Sequence, residues 1–193
     1  MANGWKSVSN ISTKLEFPVI VWNKNQILKW IDFKKKSDPK VNAAAVAAIG
    51  FKSKPLIEYI KNEGKLKFKI RDMELDAIFI PNFSWVIKNM SREERELLLK
   101  HEQGHFDLAE EITRKTRTEM TNRFQNRIFT VKEKNWNDAK KKSILQVNKI
   151  RKKIERKLQK ELGIQETKYD KKTNHGLIPV YQKKYNKRFK KLR

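Results

Sequence analysis

Two of the three histidines in the chain lie one helical turn apart, within the run LLLKHEQGHFDLAEE at residues 97–111. On a helix that advances about 100° per residue, His101 and His105 fall about 40° apart on one face. Four apolar residues lie within about 60° of that direction: Leu97, Leu98, Leu108 and Ile112. The spacing therefore predicts a helix that carries both imidazoles on its apolar, inward-facing side.

This pattern favours a zinc site, in which two imidazoles bind the ion at about 2.0–2.1 Å and Glu102 contacts a metal-bound water. The competing interpretation is a pair of hydrogen-bonded core histidines without a metal. The chain contains no cysteine. Disulfides and thiolate metal sites are therefore excluded, and any metal must bind to His, Asp or Glu.

A catalytic zinc site needs a third protein ligand, and the same helix does not supply one. The downstream acids Asp107, Glu110 and Glu111 lie at about 240°, 180° and 280° from the first histidine, away from the ligand face. The remaining histidine, His175, belongs to the stretch YDKKTNHG, which we predict to be a loop. A helical hairpin would return this loop to the histidine pair, so we predict His175 as the third ligand. A surface histidine is the alternative.

The helical half begins with a capping box, in which Ser91 and Glu94 each bond the backbone amide of the other. We predict a first helix from 91 to about 124 and a second from about Asn135 to Leu162, with Gly163 as its stop. A short basic helix, VYQKKYNKRFKK, follows the predicted loop. The second helix has a stripe of apolar residues: Val147, Ile150, Ile154, Leu158 and Leu162.

The first third of the chain contains strand signals. In KLKFKIRDMELDAIFI, Leu66, Phe68 and Ile70 alternate with lysines, which predicts a strand with one buried face. The apolar residues from Leu75 predict a second buried strand or its hairpin partner, ended by Pro81. EFPVIVW also predicts a strand, whereas VNAAAVAAIGF fits either a small-residue strand or a short helix.

Length and hydropathy limit the organisation. At 193 residues the chain is predicted to be one domain, with a strand-rich part at 15–88, the histidine helix at 91–124 and a basic helical part at 132–193. No run approaches the ~20 apolar residues that a transmembrane helix needs. The stretch MANGWKSVSN lacks the apolar core of a signal peptide, so the sequence as written predicts a cytoplasmic chain.

Six stretches carry a family resemblance: VWNKNQILKWIDFK, NAAAVAAIGF, SWV, LLLKHEQGHFDLAE, YDKKTNHG and YQKKYN. Together they resemble a prokaryotic domain-of-unknown-function family described as predicted secreted zinc-dependent proteases. The resemblance extends from about Trp22 to Asn186. It implies a zincin-like α+β fold, with a strand-rich N-terminal half packed on an HExxH active-site helix and a long helical C-terminal half. It also implies a secreted or envelope protein whose leader has been removed.

The resemblance further implies zinc at His101 and His105, with Glu102 as the base, and it favours His175 as a ligand. The predicted activity is that of a zinc metallohydrolase, a peptidase acting on polypeptides or other amide-containing polymers. Tyr169 is the predicted oxyanion stabiliser, with packing beside Asp170 as its alternative role. We expect a strand of the 65–80 region to pair with an extended substrate.

The alternative function is non-enzymatic: a basic helical module that binds nucleic acid or another anionic polymer, with a structural metal or none. The formal net charge is +24, and residues 131–193 contain 22 Lys/Arg against 6 Asp/Glu. A structural zinc site would need a fourth protein ligand, such as Glu166 or Asp170. Because no nucleic-acid-binding motif accompanies the charge, we expect only weak, non-specific binding of anionic polymers.

Overall fold

The computed structural model describes residues 8–10, 17–37, 43–62, 65–87, 89–133 and 135–193. The described strands are β1 (Val8–Asn10), β2 (Ile20–Val21), β3 (Ala45–Val46), β4 (Ile49–Asn62), β5 (Lys65–Phe79), β6 (Trp85–Val86) and β7 (Ile128–Lys132). The described helices are α1 (Arg92–Phe124), α2 (Trp136–Thr173) and α3 (Pro179–Phe189). The fold is therefore α+β, with a strand-rich N-terminal half and a long helical C-terminal half, as expected.

One sheet has the strand order β1-β4-β5-β2, and β7 also pairs with β5. The β5–β7 pairing is antiparallel and aligns Phe68 with Phe129, whose rings stack with centroids 4.9 Å apart. A separate two-stranded sheet joins β3 and β6, also antiparallel. The segment VNAAAVAAIGF thus contributes β3 and the start of β4, which decides between the two structures that its sequence allowed.

The alternation of apolar residues and lysines in β5 is confirmed. Leu66, Phe68 and Ile70 are buried. Arg71 and Asp72 are both exposed, so the alternation shifts by one residue before it resumes at Met73 and Leu75. Residues 65–79 therefore form one continuous strand, and the residues from Leu75 are neither a second strand nor a hairpin partner. The neighbouring β4 was not predicted, because Pro55 and the polar run before it hide its alternating pattern.

Two compact units make up the described chain. The first contains the described parts of Met1–Lys14, Lys52–Leu75 and Arg114–Leu158. In its core, Tyr59 is fully buried and its hydroxyl accepts a hydrogen bond from Ser143 at 3.3 Å. The second unit contains the described parts of Leu15–Phe51, Asp76–Thr113 and Gln159–Arg193. Its core includes Phe79, packed against Phe33 with ring centroids 5.1 Å apart.

Helix α1 begins and ends where the sequence predicts. The amide of Glu94 donates to the Ser91 hydroxyl at 3.2 Å, and the amide of Ser91 donates to the Glu94 carboxylate at 2.8 Å. This reciprocal capping box satisfies two amides that would otherwise lack a partner at the helix start. The helix then runs unbroken to Phe124 and carries both histidines.

Helix α2 is longer than predicted, and Gly163 does not end it. The helix continues for ten residues beyond Gly163 to Thr173. Gly163 is exposed, with no atom within 4 Å of a built Cβ, whereas Tyr169 and Thr173 further along are fully buried. Tertiary packing of these later residues therefore outweighs the low helix propensity of one glycine. The predicted YDKKTNHG loop is half helix, and the turn starts only at Asn174.

The turn after α2 is left-handed over three residues. Asn174, His175 and Gly176 have φ angles of 46°, 53° and 88°. Asn and His are among the side chains that tolerate this conformation best, and glycine adopts it freely. The amide of His175 donates to the Asp170 carbonyl at 3.3 Å, which closes the turn on the end of the helix.

No helix in the described part of the chain combines the length and apolar character needed to span a bilayer.

Candidate metal centre

Three side-chain atoms of the second unit converge on one point. Nε2 of His101 and Nε2 of His105 are 3.2 Å apart. Oδ1 of Asp170 lies 3.1 Å from each of these two nitrogens. The first two atoms come from adjacent turns of α1, and the third comes from the last turns of α2. The sides of this triangle are therefore nearly equal, although its atoms are separated by up to 69 residues in the chain.

This donor triangle fits a small metal ion. Two ligand atoms bound at about 2.0–2.1 Å to a tetrahedral ion lie about 3.3–3.4 Å apart, close to the three observed separations. Two imidazoles and one carboxylate are also a ligand set that catalytic zinc sites use. The donor atoms of His101, Asp170 and His175, taken one from each residue, all lie within 4.8 Å of one another, and this group could hold a metal ion.

The predicted third ligand, His175, lies at the edge of the triangle. Its Nδ1 atom is 3.9 Å from Oδ1 of Asp170, and its ring centroid is 5.9 Å from that of His101. The side chain of His175 is 69% exposed, and that of Asp170 is 29% exposed. The turn therefore brings His175 next to the pair, as expected from a helical hairpin. Asp170 lies between His175 and the two histidines of α1, and the role of His175 as a metal ligand stays a prediction.

His101 is held in place by a buried polar network. Its ring stacks on Tyr169 with centroids 4.6 Å apart and an interplanar angle of 13°. Its Nδ1 atom lies 3.4 Å from Oε1 of Gln182 and 3.4 Å from the hydroxyl of Thr173. A proton on Nδ1, donated to Gln182, is the tautomer that metal binding needs, because it leaves the lone pair on Nε2. The network thus orients Nε2 towards the triangle.

Tyr169 contacts His101 through its hydroxyl as well as its ring. The hydroxyl donates to the backbone carbonyl of His101 at 3.2 Å, and the amide group of Gln182 donates to it at 2.8 Å. The side chain is fully buried. The oxyanion role of Tyr169 stays a prediction, but these contacts are those of a residue that positions a ligand.

Gly104 makes the approach of Tyr169 possible. A Cβ atom built on Gly104 would lie 2.7 Å from Cζ of Tyr169 and closer still to its hydroxyl oxygen. No side chain larger than hydrogen fits there unless the tyrosine ring moves. Gly104 therefore serves helix packing, since it admits a ring from α2 against the turn of α1 that carries the histidines.

His105 has a carboxylate near its second nitrogen. Oε1 of Glu166 lies 3.5 Å from Nδ1 of His105, one helical turn before Asp170. This Nδ1 atom is buried and has no hydrogen-bond partner among the described residues. A carboxylate in this position is a common outer partner of a metal-binding histidine. Glu166 therefore lies within ion-pair distance of His105 but does not form a hydrogen bond with it, unlike Gln182 on His101.

Glu102 is buried beside the histidines, with 4% of its surface exposed. Its Oε2 atom accepts a hydrogen bond from the Ala47 amide at 3.0 Å. Burial raises the pKa of Glu102, while the nearby rings of His105 and His101 act in the opposite direction. The carboxyl group is therefore held by a single backbone contact, in surroundings where it can carry a proton more readily than in water.

The pKa values of the residues at the triangle depend on one another. Burial by itself would lower the pKa of His105, but the carboxylates of Asp170 and Glu166 raise it to about 10. Burial would raise the pKa of Asp170, yet hydrogen bonds with His101 and His105 hold that pKa well below its usual range. Burial raises the pKa of Tyr169, which keeps its hydroxyl protonated and able to donate.

The acids that helix geometry directed away from the ligand face have other contacts. Asp107 accepts hydrogen bonds from the Trp22 indole at 2.8 Å and from the Gln103 amide group at 3.0 Å. Glu111 forms an ion pair with Arg188. These observations confirm that neither Asp107 nor Glu111 belongs to the triangle.

Two supporting contacts were not predicted. Gln182 reaches the centre from α3, and the amide of Ala47 reaches it from the segment after β3. Glu166, which the sequence indicated as a possible ligand of a structural site, reaches it from α2, four residues before Asp170 and on the same face of the helix. No family model, curated protein or solved structure matches this chain.

Proposed function

We propose that the protein is a zinc-dependent metallohydrolase with a zincin-like fold, and that it cleaves amide bonds in polypeptides. The observation that carries this proposal is the convergence of His101, His105 and Asp170 beside the buried carboxyl group of Glu102. Three protein ligands leave a fourth tetrahedral position for water, which is the arrangement of catalytic zinc sites. His175 lies beside these residues, with a donor atom within 4.8 Å of those of His101 and Asp170.

A bound zinc ion would lower the pKa of its water to about 7 and polarise a scissile carbonyl. Glu102 is the residue that would accept the proton of that water and return it to the leaving amine. Its burial supports this role, because burial raises the pKa of Glu102 and so favours the protonated form that must exist between the two steps. The Ala47 amide holds one carboxylate oxygen, which leaves the other available to water.

The β3 segment supports a polypeptide substrate. The carbonyls of Ala44 and Ala48 accept backbone bonds on one side of this segment, whereas the Ala47 amide points to the other side and bonds Glu102. Backbone groups of a strand alternate in direction, so Ala45 shares the outward edge with Ala47. An extended peptide that pairs with this edge would run past the catalytic carboxyl group. We propose this edge in place of the 65–80 region, because β5 lies between β4 and β2.

The test separates catalysis from metal binding. Glu102→Gln preserves the shape of the side chain, and we expect it to retain about one zinc per chain while losing nearly all hydrolysis of an unfolded protein. Glu111→Gln on the same helix is the matched control, because its carboxylate contacts Arg188 rather than the triangle. The control should be as active as the parent.

Two results would contradict the proposal. A Glu102→Gln variant that is as active as the parent would remove Glu102 from the reaction. A zinc-loaded parent that cleaves no member of a broad peptide library would favour the non-enzymatic alternative.

A further inference from the structure

A cavity of about 460 Å³ lies on the opposite side of α1 from the triangle, within the second unit. Its wall includes Gln103 and Gly104, which separate it from the histidine face. Leu28 and Phe189 line it and are almost completely buried, and Leu99 adds a third large apolar side chain. Such a concave, apolar site next to a catalytic helix has the size and character of a small-molecule site.

The acidic side chains at the cavity have ion-pair partners, whereas two of its lysines do not. The acids are occupied: Asp107 binds Arg193 at 2.5 Å, and Glu96 pairs with Arg92 at 3.2 Å. Lys100 and Lys190 also line the cavity, and neither has an ion-pair partner among the residues that the structure describes. The cavity therefore combines an apolar interior with two cations that are free to bind an anion.

We propose that this cavity binds a single-chain amphiphile with a carboxylate head, such as a medium-chain fatty acid. The alkyl chain would lie against Leu28, Leu99 and Phe189, and the carboxylate would bind Lys100 and Lys190. The volume lies within the range of about 300–1,000 Å³ that small-molecule sites span, so it admits a medium-chain alkyl group such as that of dodecanoate. This site is independent of the proposed hydrolysis, because none of its ligand contacts involves the triangle.

Calorimetry with dodecanoate below its micellar concentration tests the proposal. We expect saturable binding of one molecule per chain. Dodecyltrimethylammonium, with the same alkyl chain and the opposite charge, should bind at least about tenfold more weakly. The double variant Lys100→Glu/Lys190→Glu should weaken dodecanoate binding by at least about tenfold. Lys149→Glu/Lys153→Glu changes the net charge equally on an exposed face of α2 and should leave binding unchanged.

A second pair of matched variants tests the apolar part of the cavity. Ile27 lines the cavity and Ile31 does not, although both are exposed residues of the same segment. Ile27→Asn should weaken binding, and Ile31→Asn should not. Equal weakening by the two lysine pairs would attribute binding to net charge and overturn the proposal. Loss of binding on removal of zinc would place the carboxylate on the metal and also overturn it, as would the absence of saturable binding.

Discussion

A Cβ atom on Gly104 would overlap the hydroxyl oxygen of Tyr169, because the tyrosine ring packs directly against this glycine. The glycine of HEQGH and the tyrosine of YDKKTNHG are thus two parts of one packing arrangement. Because the Tyr169 ring stacks on His101, this packing also fixes a ligand of the proposed zinc ion. The HEQGH and YDKKTNHG stretches therefore meet at one point of the structure.

The first prediction compares two glycines in helices. Gly104→Ala forces Tyr169 away from His101, and overpacking of this kind costs about 1–3 kcal/mol in unfolding free energy. Gly163→Ala meets no atom within 4 Å, so the better helix propensity of alanine should stabilise the protein by about 0.5–1 kcal/mol. Urea denaturation of the two variants measures both changes. An equal effect of the two substitutions would contradict the packing argument.

The position of the histidine pair could be predicted from the sequence because it depends on local rules. The capping box fixed the start of α1, and 3.6-residue periodicity placed His101 and His105 on its buried face. Asp170 could only be proposed as one of several acids. Its position depends on α2 continuing past Gly163, and tertiary burial of Tyr169 and Thr173 decides that continuation. Local propensity carries no information on such long-range packing.

The second prediction ranks the candidate third ligands. Asp170→Asn removes the charge of an atom 3.1 Å from both histidine nitrogens, and we expect zinc affinity to fall by more than tenfold. His175→Ala should also weaken binding, but by less, because its ring is exposed and lies further out. Zinc titration against a competing chelator measures the order. A larger loss for His175→Ala would restore it as the ligand that the sequence indicated.

The third prediction concerns acid stability in the first unit. A hydrogen bond from Lys69 holds the pKa of Glu58 below 4.5, and Arg71 lies 2.9 Å from the same carboxylate. A lowered pKa contributes stability above the unfolded value, and this contribution disappears as the pH falls through the folded value. Glu58→Gln should therefore destabilise the protein at pH 7 and have little effect near pH 3. Glu74→Gln is the control, because its partner Lys54 is 3.5 Å away and the pair is exposed.

Thermal unfolding of the two variants at both pH values measures this difference. The parent and Glu58→Gln should converge as the pH falls, whereas the parent and Glu74→Gln should stay close throughout. A constant difference between the parent and Glu58→Gln across the range would show that packing of the side chain, and not its charge, is responsible.

The last prediction concerns the basic face of α2. Lys149, Lys152, Lys153 and Arg156 lie within about 100° of one another around the helix, opposite the buried stripe that includes Ile154. None of the four cations has an ion-pair partner among the described residues. A row of solvated cations attracts phosphate groups without reading bases, so binding of DNA or RNA should be non-specific and should be lost near 0.15 M salt. Lys149→Glu/Lys153→Glu should reduce the steepness of the salt dependence. Filter binding over a salt series measures it, and tight, sequence-selective binding at about 0.15 M salt would favour the non-enzymatic alternative.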